Sequence, residues 1–364
     1  MGFRCGIIGL PNVGKSTIFN ALTAACAEVA NYPFCTIDPN IGIVPVPDER
    51  LEKIAQIIKP SKVTYTSMEF VDIAGLVKGA SRGEGLGNKF LGHIREVDAI
   101  VHIIRCFEHP SVSHIYDTID PARDIDIINT ELIIADIETL EKRIAKVERF
   151  AKTGDKLARK EYDTCLYIKD ILGNGTSARN ISFHEDEDVI VRDLHLLTAK
   201  KVLYVANVGE TDLKKGSTHI QKIEQIARME GSKTIVICGD MEAEITELPK
   251  DEQKEFLNDL GLQESGLQKL IREGYDLLGL ITFYTTVGPE LRAWTIQSGT
   301  KASAAAGRIH SDMEKGFIKA EIIHFNDFIR LGSLSAAKES GLIRFEGKDY
   351  VVADGDVAYF RFHI

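Results

Sequence analysis

The 364-residue chain has no paired-cysteine motif, no long apolar run and no surplus of positive charge. Its six cysteines (Cys5, Cys26, Cys35, Cys106, Cys165, Cys238) stand singly, none in a CxxC pair, which argues against a zinc site and a disulfide framework. No apolar stretch approaches the ~20 residues of a membrane span. The first residues enter a strand pattern without the charged-then-apolar order of a leader peptide. The expectation is a reduced, cytoplasmic setting with no membrane partner. A formal net charge of −10 speaks against a protein coated in nucleic acid, while local basic patches remain allowed. What is present is ordinary for a globular chain, 44% hydrophobic and 27% charged, with length enough for two or three domains.

One short segment decides the class of chemistry. Gly9-Leu10-Pro11-Asn12-Val13-Gly14-Lys15-Ser16 is a complete phosphate-binding loop, preceded by an apolar run and followed by a helical stretch from Thr17. Gly9 and Gly14 permit backbone conformations that aim successive N–H groups at phosphate oxygens. Lys15 supplies a point charge for the β- and γ-phosphates, and the Ser16 hydroxyl offers a ligand to Mg2+. The helix N-terminus adds its positive end to the cradle. The chain is expected to bind a nucleoside triphosphate.

Strand patterns at residues 3–8, 67–72, 99–106, 201–206 and 234–238 alternate with helical ones, as in an α/β, doubly wound, mostly parallel sheet. From about Asn129 the period changes. Ile133, Ile137, Leu140, Ile144, Val147 and Ala151 are spaced four and three apart, a heptad seam on one long helix, and after Gly154 a second helical run over 156–172 reads as the returning arm of a hairpin. Residues 141–160 hold eight Lys and Arg against three acids. That is either a solvated helix face or an electrostatic footprint for RNA. The expected organisation is a nucleotide-binding domain over 1–280 with a hairpin inserted at 128–198, then a small β-rich domain over 281–364. In the latter, strands are expected at 282–287, 293–296, 318–324, 350–352 and 357–362, and Asp354-Gly355 signals a hairpin between the last two.

Further nucleotide-site elements follow from spacing. Asp72-Ile73-Ala74-Gly75 closes a strand; its carboxylate can hold Mg2+ and Gly75 lets the next backbone N–H approach the γ-phosphate. Gly75, Gly79, Gly83, Gly85 and Gly87 make this a switch-like segment. In Asn31-Tyr32-Pro33-Phe34-Cys35-Thr36, Thr36 is the candidate for a second hydroxyl on Mg2+. Base reading is expected at Asn207-Val208-Gly209-Glu210, where the Asn-Lys-x-Asp of GTPases has Val in place of Lys and Glu in place of Asp. An Asn can pair bidentately with the N6/N7 edge of adenine. ATP is therefore expected over GTP.

Together the loop at 9–16, Asp72-Ile73-Ala74-Gly75-Leu76-Val77-Lys78-Gly79-Ala80, Asn207-Val208-Gly209-Glu210, the inserted hairpin and the β-rich tail resemble the Obg-like ATPase (YchF-type) family over essentially the whole chain. The resemblance implies an Obg-related P-loop fold that favours ATP, with a C-terminal ubiquitin-like TGS module resembled by 288–364 through Ala293-Trp294-Thr295-Ile296 and Asp354-Gly355-Asp356. It implies phosphate binding by Asn12, Val13, Gly14, Lys15, Ser16 and Thr17, Mg2+ ligation by Ser16 and Thr36, and adenine contact by Asn207, Val208 and Glu210.

Ras-type GTPases orient the attacking water with a Gln directly after DxxG; here that position is Leu76, which can neither donate nor accept. Slow intrinsic hydrolysis is the expectation. The resemblance points to His114, in Ser111-Val112-Ser113-His114, as a substitute, although the residues alone describe an ordinary loop His. Asn12 resembles the asparagine by which related proteins coordinate K+. Two functions compete: a slow Mg2+-dependent ATPase switch whose nucleotide state controls binding to ribosome or RNA through the basic hairpin tip and the TGS-like domain, and a binding module in which the nucleotide is a structural ligand.

Overall fold

The computed structural model describes residues 3–27, 40–73, 86–109, 115–116, 118–287 and 289–363. Among them are twelve strands: β1 (Arg4–Ile8), β2 (Ile41–Pro45), β3 (Lys62–Thr64), β4 (Ser67–Asp72), β5 (Ala99–Arg105), β6 (Lys201–Asn207), β7 (Lys233–Ile237), β8 (Leu280–Val287), β9 (Glu290–Gln297), β10 (Phe317–His324), β11 (Arg344–Glu346) and β12 (Asp356–Phe362). The chain divides into two compact units, one of Phe3–Ile43 and Glu69–Leu270, the other of Val44–Met68 and Ile271–Ile364.

The first unit holds a six-stranded sheet in the order β2-β4-β1-β5-β6-β7. The β1–β4, β1–β5, β5–β6 and β6–β7 pairs are parallel. The sequence reads that way because the middle strands are apolar without alternation; every residue of β5 is buried, as a strand covered on both faces requires. Register then decides what meets at one edge. Ile7 pairs with Asp72, Ile8 with His102, Arg105 with Asn207 and Asn207 with Ile237. The C-terminal ends of five strands thus open side by side, the usual place for a ligand in a parallel sheet.

The hairpin is present as a long arm (Pro121–Lys152) and a return arm (Lys156–Gly173). Asp155 caps the return arm, accepting from the Leu157 and Ala158 amides at 2.9 and 3.1 Å. The heptad seam is the packed one: Ile133, Leu140, Cys165, Ile168 and Leu172 form a core of their own. A third helix (Glu185–Leu194) contributes Val191 and Leu194 to that core, so the insertion is more than the two expected arms. At its base, buried Asp136 accepts from the Leu197 and Thr198 amides, both at 2.8 Å, and from the Thr198 hydroxyl at 2.6 Å. Arg179 reaches Asn129 Oδ1 at 2.9 Å and Glu230 Oε2 at 3.3 Å, and the Tyr204 hydroxyl donates to the same Glu230 oxygen at 2.8 Å.

The second unit has its own six-stranded sheet, in the order β11-β10-β12-β8-β9-β3. Alternation along β12 sends Val357 to one core with Tyr284, Leu291 and Phe328, and Ala358 and Phe360 to another with Phe283, Ile296 and Ala305. Two departures from expectation appear. Residues 44–68, expected within the nucleotide domain, belong to this unit: β3 pairs parallel with β9, and Leu51 and Ile54 of the helix Glu49–Ile58 lie in the Tyr284 core. The Asp354-Gly355 turn makes no hairpin. β12 pairs antiparallel with β10 and parallel with β8, and residues 350–352 form no strand, Val351 making only an isolated bridge to Lys301. The reason is that Asp354 is recruited elsewhere, accepting from the Thr282 amide at 2.9 Å and from Arg50 at 2.7 Å.

Candidate nucleotide site

The loop after β1 is shaped by contacts that admit no side chain. A Cβ at Gly9 would lie 2.5 Å from the Ile103 carbonyl oxygen on the neighbouring β5. At Gly14, where φ is +90°, a Cβ would collide with the Asn207 amide nitrogen. Asn12 adopts the left-handed region at φ 62°, which Asn tolerates better than most residues. The helix Lys15–Ala27 begins directly after the loop, and its first turn carries exposed Ser16 and half-buried Lys15 and Thr17. Val13 is buried beneath the loop.

Lys15 and Asp72 face each other electrostatically. Burial lowers the Lys15 pKa, and the Asp72 charge opposes that shift. Burial raises the Asp72 pKa, opposed in turn by Lys15. Asp72 Oδ1 is buried and has no hydrogen-bond partner among the described residues. A buried carboxylate oxygen left unpaired is costly. One carboxylate and one hydroxyl, Asp72 and Ser16, are hard oxygen donors of the kind Mg2+ takes, so the residues present fit that ion.

Asn207, at the end of β6, is 4% exposed and its amide is committed to backbone. Nδ2 donates to the Val13 carbonyl at 2.9 Å and Oδ1 accepts from the Gly239 amide at 3.0 Å. These two bonds make Asn207 a clamp between the phosphate loop and the first residue of the helix Gly239–Glu247. Val208 is 2% exposed and donates its amide to the Ile237 carbonyl at 2.8 Å. Glu210 is exposed and opens the short helix Glu210–Lys215.

The sequence reading missed three neighbours. Arg105, 2% exposed at the end of β5, donates to the Asn12 carbonyl at 3.4 Å and to the Phe107 carbonyl at 3.0 Å. Its guanidinium also lies 4.6 Å from the centre of the Phe107 ring. The Phe107 Cβ lies 4.0 Å from the position a Cβ at Gly209 would take, which brings the residue after Cys106 close to the 207–210 segment. Gly239 completes the group through its amide. The sequence cue was an Arg closing a mostly apolar strand. Cys106, the next residue, has its thiol pushed up to about 12 by burial, which keeps it protonated. Thr36, Gly75, Leu76 and His114 lie outside the described residues.

No helix among the described residues is long and apolar enough to cross a membrane. Residues 4–144 match the family model MMR_HSR1, described as "50S ribosome-binding GTPase". Residues 280–363 match YchF-GTPase_C, described as "Protein of unknown function (DUF933)". The chain is 51% identical, over the full length of both, to the "Ribosome-binding ATPase YchF" of Bacillus subtilis (strain 168). It is 52% identical, again over the full length of both, to the protein of that name from Pasteurella multocida (strain Pm70). The solved structure of the Schizosaccharomyces pombe YchF GTPase is similar at a TM-score of 0.91 and 37% identity, covering 99% of this chain and 98% of that one.

Proposed function

The chain belongs to the YchF family, and on that premise we propose that it is a Mg2+-dependent nucleotide switch that binds ATP in preference to GTP, hydrolyses it slowly and associates with the ribosome. The observation that carries the reading is the buried, unpartnered Asp72 Oδ1 beside Lys15, under a loop whose glycines leave the backbone bare. Relatives of this length named as ribosome-binding ATPases support the partner.

In this reading the amides of residues 12–17 and the helix N-terminus bind the phosphates, and Lys15 sets its charge against the β- and γ-oxygens. Ser16, Thr36 and Asp72 hold the Mg2+, which when bound neutralises charge developing on the transferred phosphoryl. Gly75 leaves room for a backbone donor to the γ-phosphate. Asn12 is assigned to a K+ ion at the same phosphates. Adenine contact falls to Asn207, Val208 and Glu210, with Asn207 also holding the loop in place and Glu210 replacing the shorter Asp that suits guanine. His114 is the candidate for orienting the water that Leu76 cannot. Contact with ribosomal RNA is assigned to the hairpin tip and the C-terminal TGS-like unit.

Leu76 favours a second reading, in which the nucleotide organises a binding surface and its hydrolysis is incidental. ATP turnover measured with and without ribosomes separates the two. Ribosome-stimulated turnover supports the switch, whereas binding that needs ATP but not its hydrolysis supports the module. Calorimetry with ATP and GTP tests the base preference, and equal or tighter GTP binding would overturn it.

A further inference from the structure

We propose that Arg105 is a positioning residue for phosphate binding, holding the Asn12 carbonyl so that the Val13 amide faces the nucleotide; this rests on the nucleotide-site reading above and adds one residue to it. The ends of β5 and β6 are in register, Arg105 paired with Asn207, and their side chains take consecutive carbonyls of the loop. Arg105 Nη1 donates to the Asn12 carbonyl at 3.4 Å, and Asn207 Nδ2 to the Val13 carbonyl at 2.9 Å. The Gly14 carbonyl, next along, accepts from the Ile18 amide at 3.1 Å as the helix begins. No carbonyl from Asn12 to Gly14 is left to turn freely.

In a planar trans peptide a carbonyl and the amide that follows it point in opposite directions. Carbonyls turned toward Arg105 and Asn207 therefore turn the Val13 and Gly14 amides away from the strand ends, as a cradle of successive N–H groups for phosphate requires. Neither amide has an acceptor among the described residues. Asn12 is the member of the loop that most needs holding. Its φ of 62° lies in the left-handed region, which a residue with a side chain leaves unless contacts oppose it.

The guanidinium suits this task by its shape. Nε donates to the Phe107 carbonyl at 3.0 Å while Nη1 reaches Asn12, so one planar fork spans the loop and the chain after β5. The side chain is buried, and water does not compete for these carbonyls. Burial lowers the Arg105 pKa and the Asp124 carboxylate opposes that shift; the guanidinium stays charged. A lysine in its place would keep the charge and lose the fork.

The test compares full-length wild type with Arg105→Met and Arg105→Lys, each checked by a melting curve. Calorimetry gives the affinities for ATP, ADP and GTP, and steady-state phosphate release over an ATP series gives KM and kcat. Arg105→Met is expected to weaken all three nucleotides by one common factor of about tenfold or more. KM should rise by that factor with kcat nearly unchanged, since the loop binds ground state and transition state alike. Arg105→Lys should recover part of the loss, and it carries the test alone if the Met variant does not fold. Wild-type affinity in Arg105→Lys, or in a folded Arg105→Met whatever its melting temperature, overturns the proposal. So does a loss confined to ATP with GTP spared, which would place the effect at the base. A fall in kcat at unchanged affinity also overturns it, making Arg105 a group that acts in the transition state. Wild-type protein that binds no nucleotide sinks the site reading together with this inference, whereas nucleotide binding indifferent to Arg105 sinks this inference alone.

Discussion

At the strand ends of the first unit polar side chains are buried and bound to backbone, whereas along the hairpin charged side chains are exposed and meet one another. Asn207 and Arg105 each hold main-chain groups from distant segments, as Asp136 does only where the hairpin meets its base, and Asn207 is 4% exposed. Lys152–Glu148 and Arg159–Asp163 are ion pairs between neighbouring turns of single helices, open to water. Removing a buried partner leaves its mate unsatisfied, which is expensive. Removing an exposed one lets water take its place. The strand ends should therefore be intolerant and specific, and the hairpin permissive in stability while free to use its spare charge outward.

Four tests sharpen that contrast, from the largest effect to the smallest. Lys15→Ala should lower ATP turnover by about 10²–10³ with the fold intact, read by steady-state phosphate release beside a melting curve; ordinary turnover would remove Lys15 from its assigned role. Asn207→Ala strands the Val13 carbonyl and the Gly239 amide, and at about 1–3 kcal/mol for each buried unpaired group should lower the denaturation midpoint clearly and weaken ATP together with it. If stability were untouched, the clamp would be no more than a coincidence of packing.

The third concerns pH. His102 is fully buried against Tyr204, ring centres 5.7 Å apart, and burial lowers its pKa to about 3. Its folded value lies below the unfolded one near 6.5. Between those values only the unfolded chain takes up the proton, so stability present above about pH 6.5 is lost as pH falls toward 3. From pH 7 to pH 5 this group should remove about 2 kcal/mol, and His102→Leu should flatten that part of a urea-midpoint profile. Parallel profiles in the two proteins would count against it. The smallest effect belongs to the hairpin: Lys152→Ala and Arg159→Ala should leave the melting temperature within error of wild type, and a drop of several degrees would show that these pairs support the fold.

Elements with strong periodicity were the ones legible in the chain. The five parallel strands were found within a residue or two because each carries several apolar residues, β5 buried throughout and β4 in alternation, and the hairpin because its seam repeats at heptad spacing. The short β3 and β11 were not, since three residues carry no period. Asp354-Gly355 misled because a turn signal is local and the Asp354 carboxylate is claimed by Thr282 and Arg50 from far along the chain. Arg105 went unnoticed for a similar reason, its reach to the Asn12 carbonyl lying beyond any local pattern.

The sequence by itself determined the phosphate loop, its lysine and hydroxyl, the aspartate at the end of a strand and the family that these resemble, because each depends on residue types at fixed local spacing. Tertiary structure alone decided that residues 44–68 join the second unit, that Asn207 spends its amide on the loop, and that Asp72 keeps an oxygen buried and unpaired. Those outcomes turn on strand register and on which distant groups arrive within hydrogen-bonding reach, and neither is written in any window of neighbouring residues.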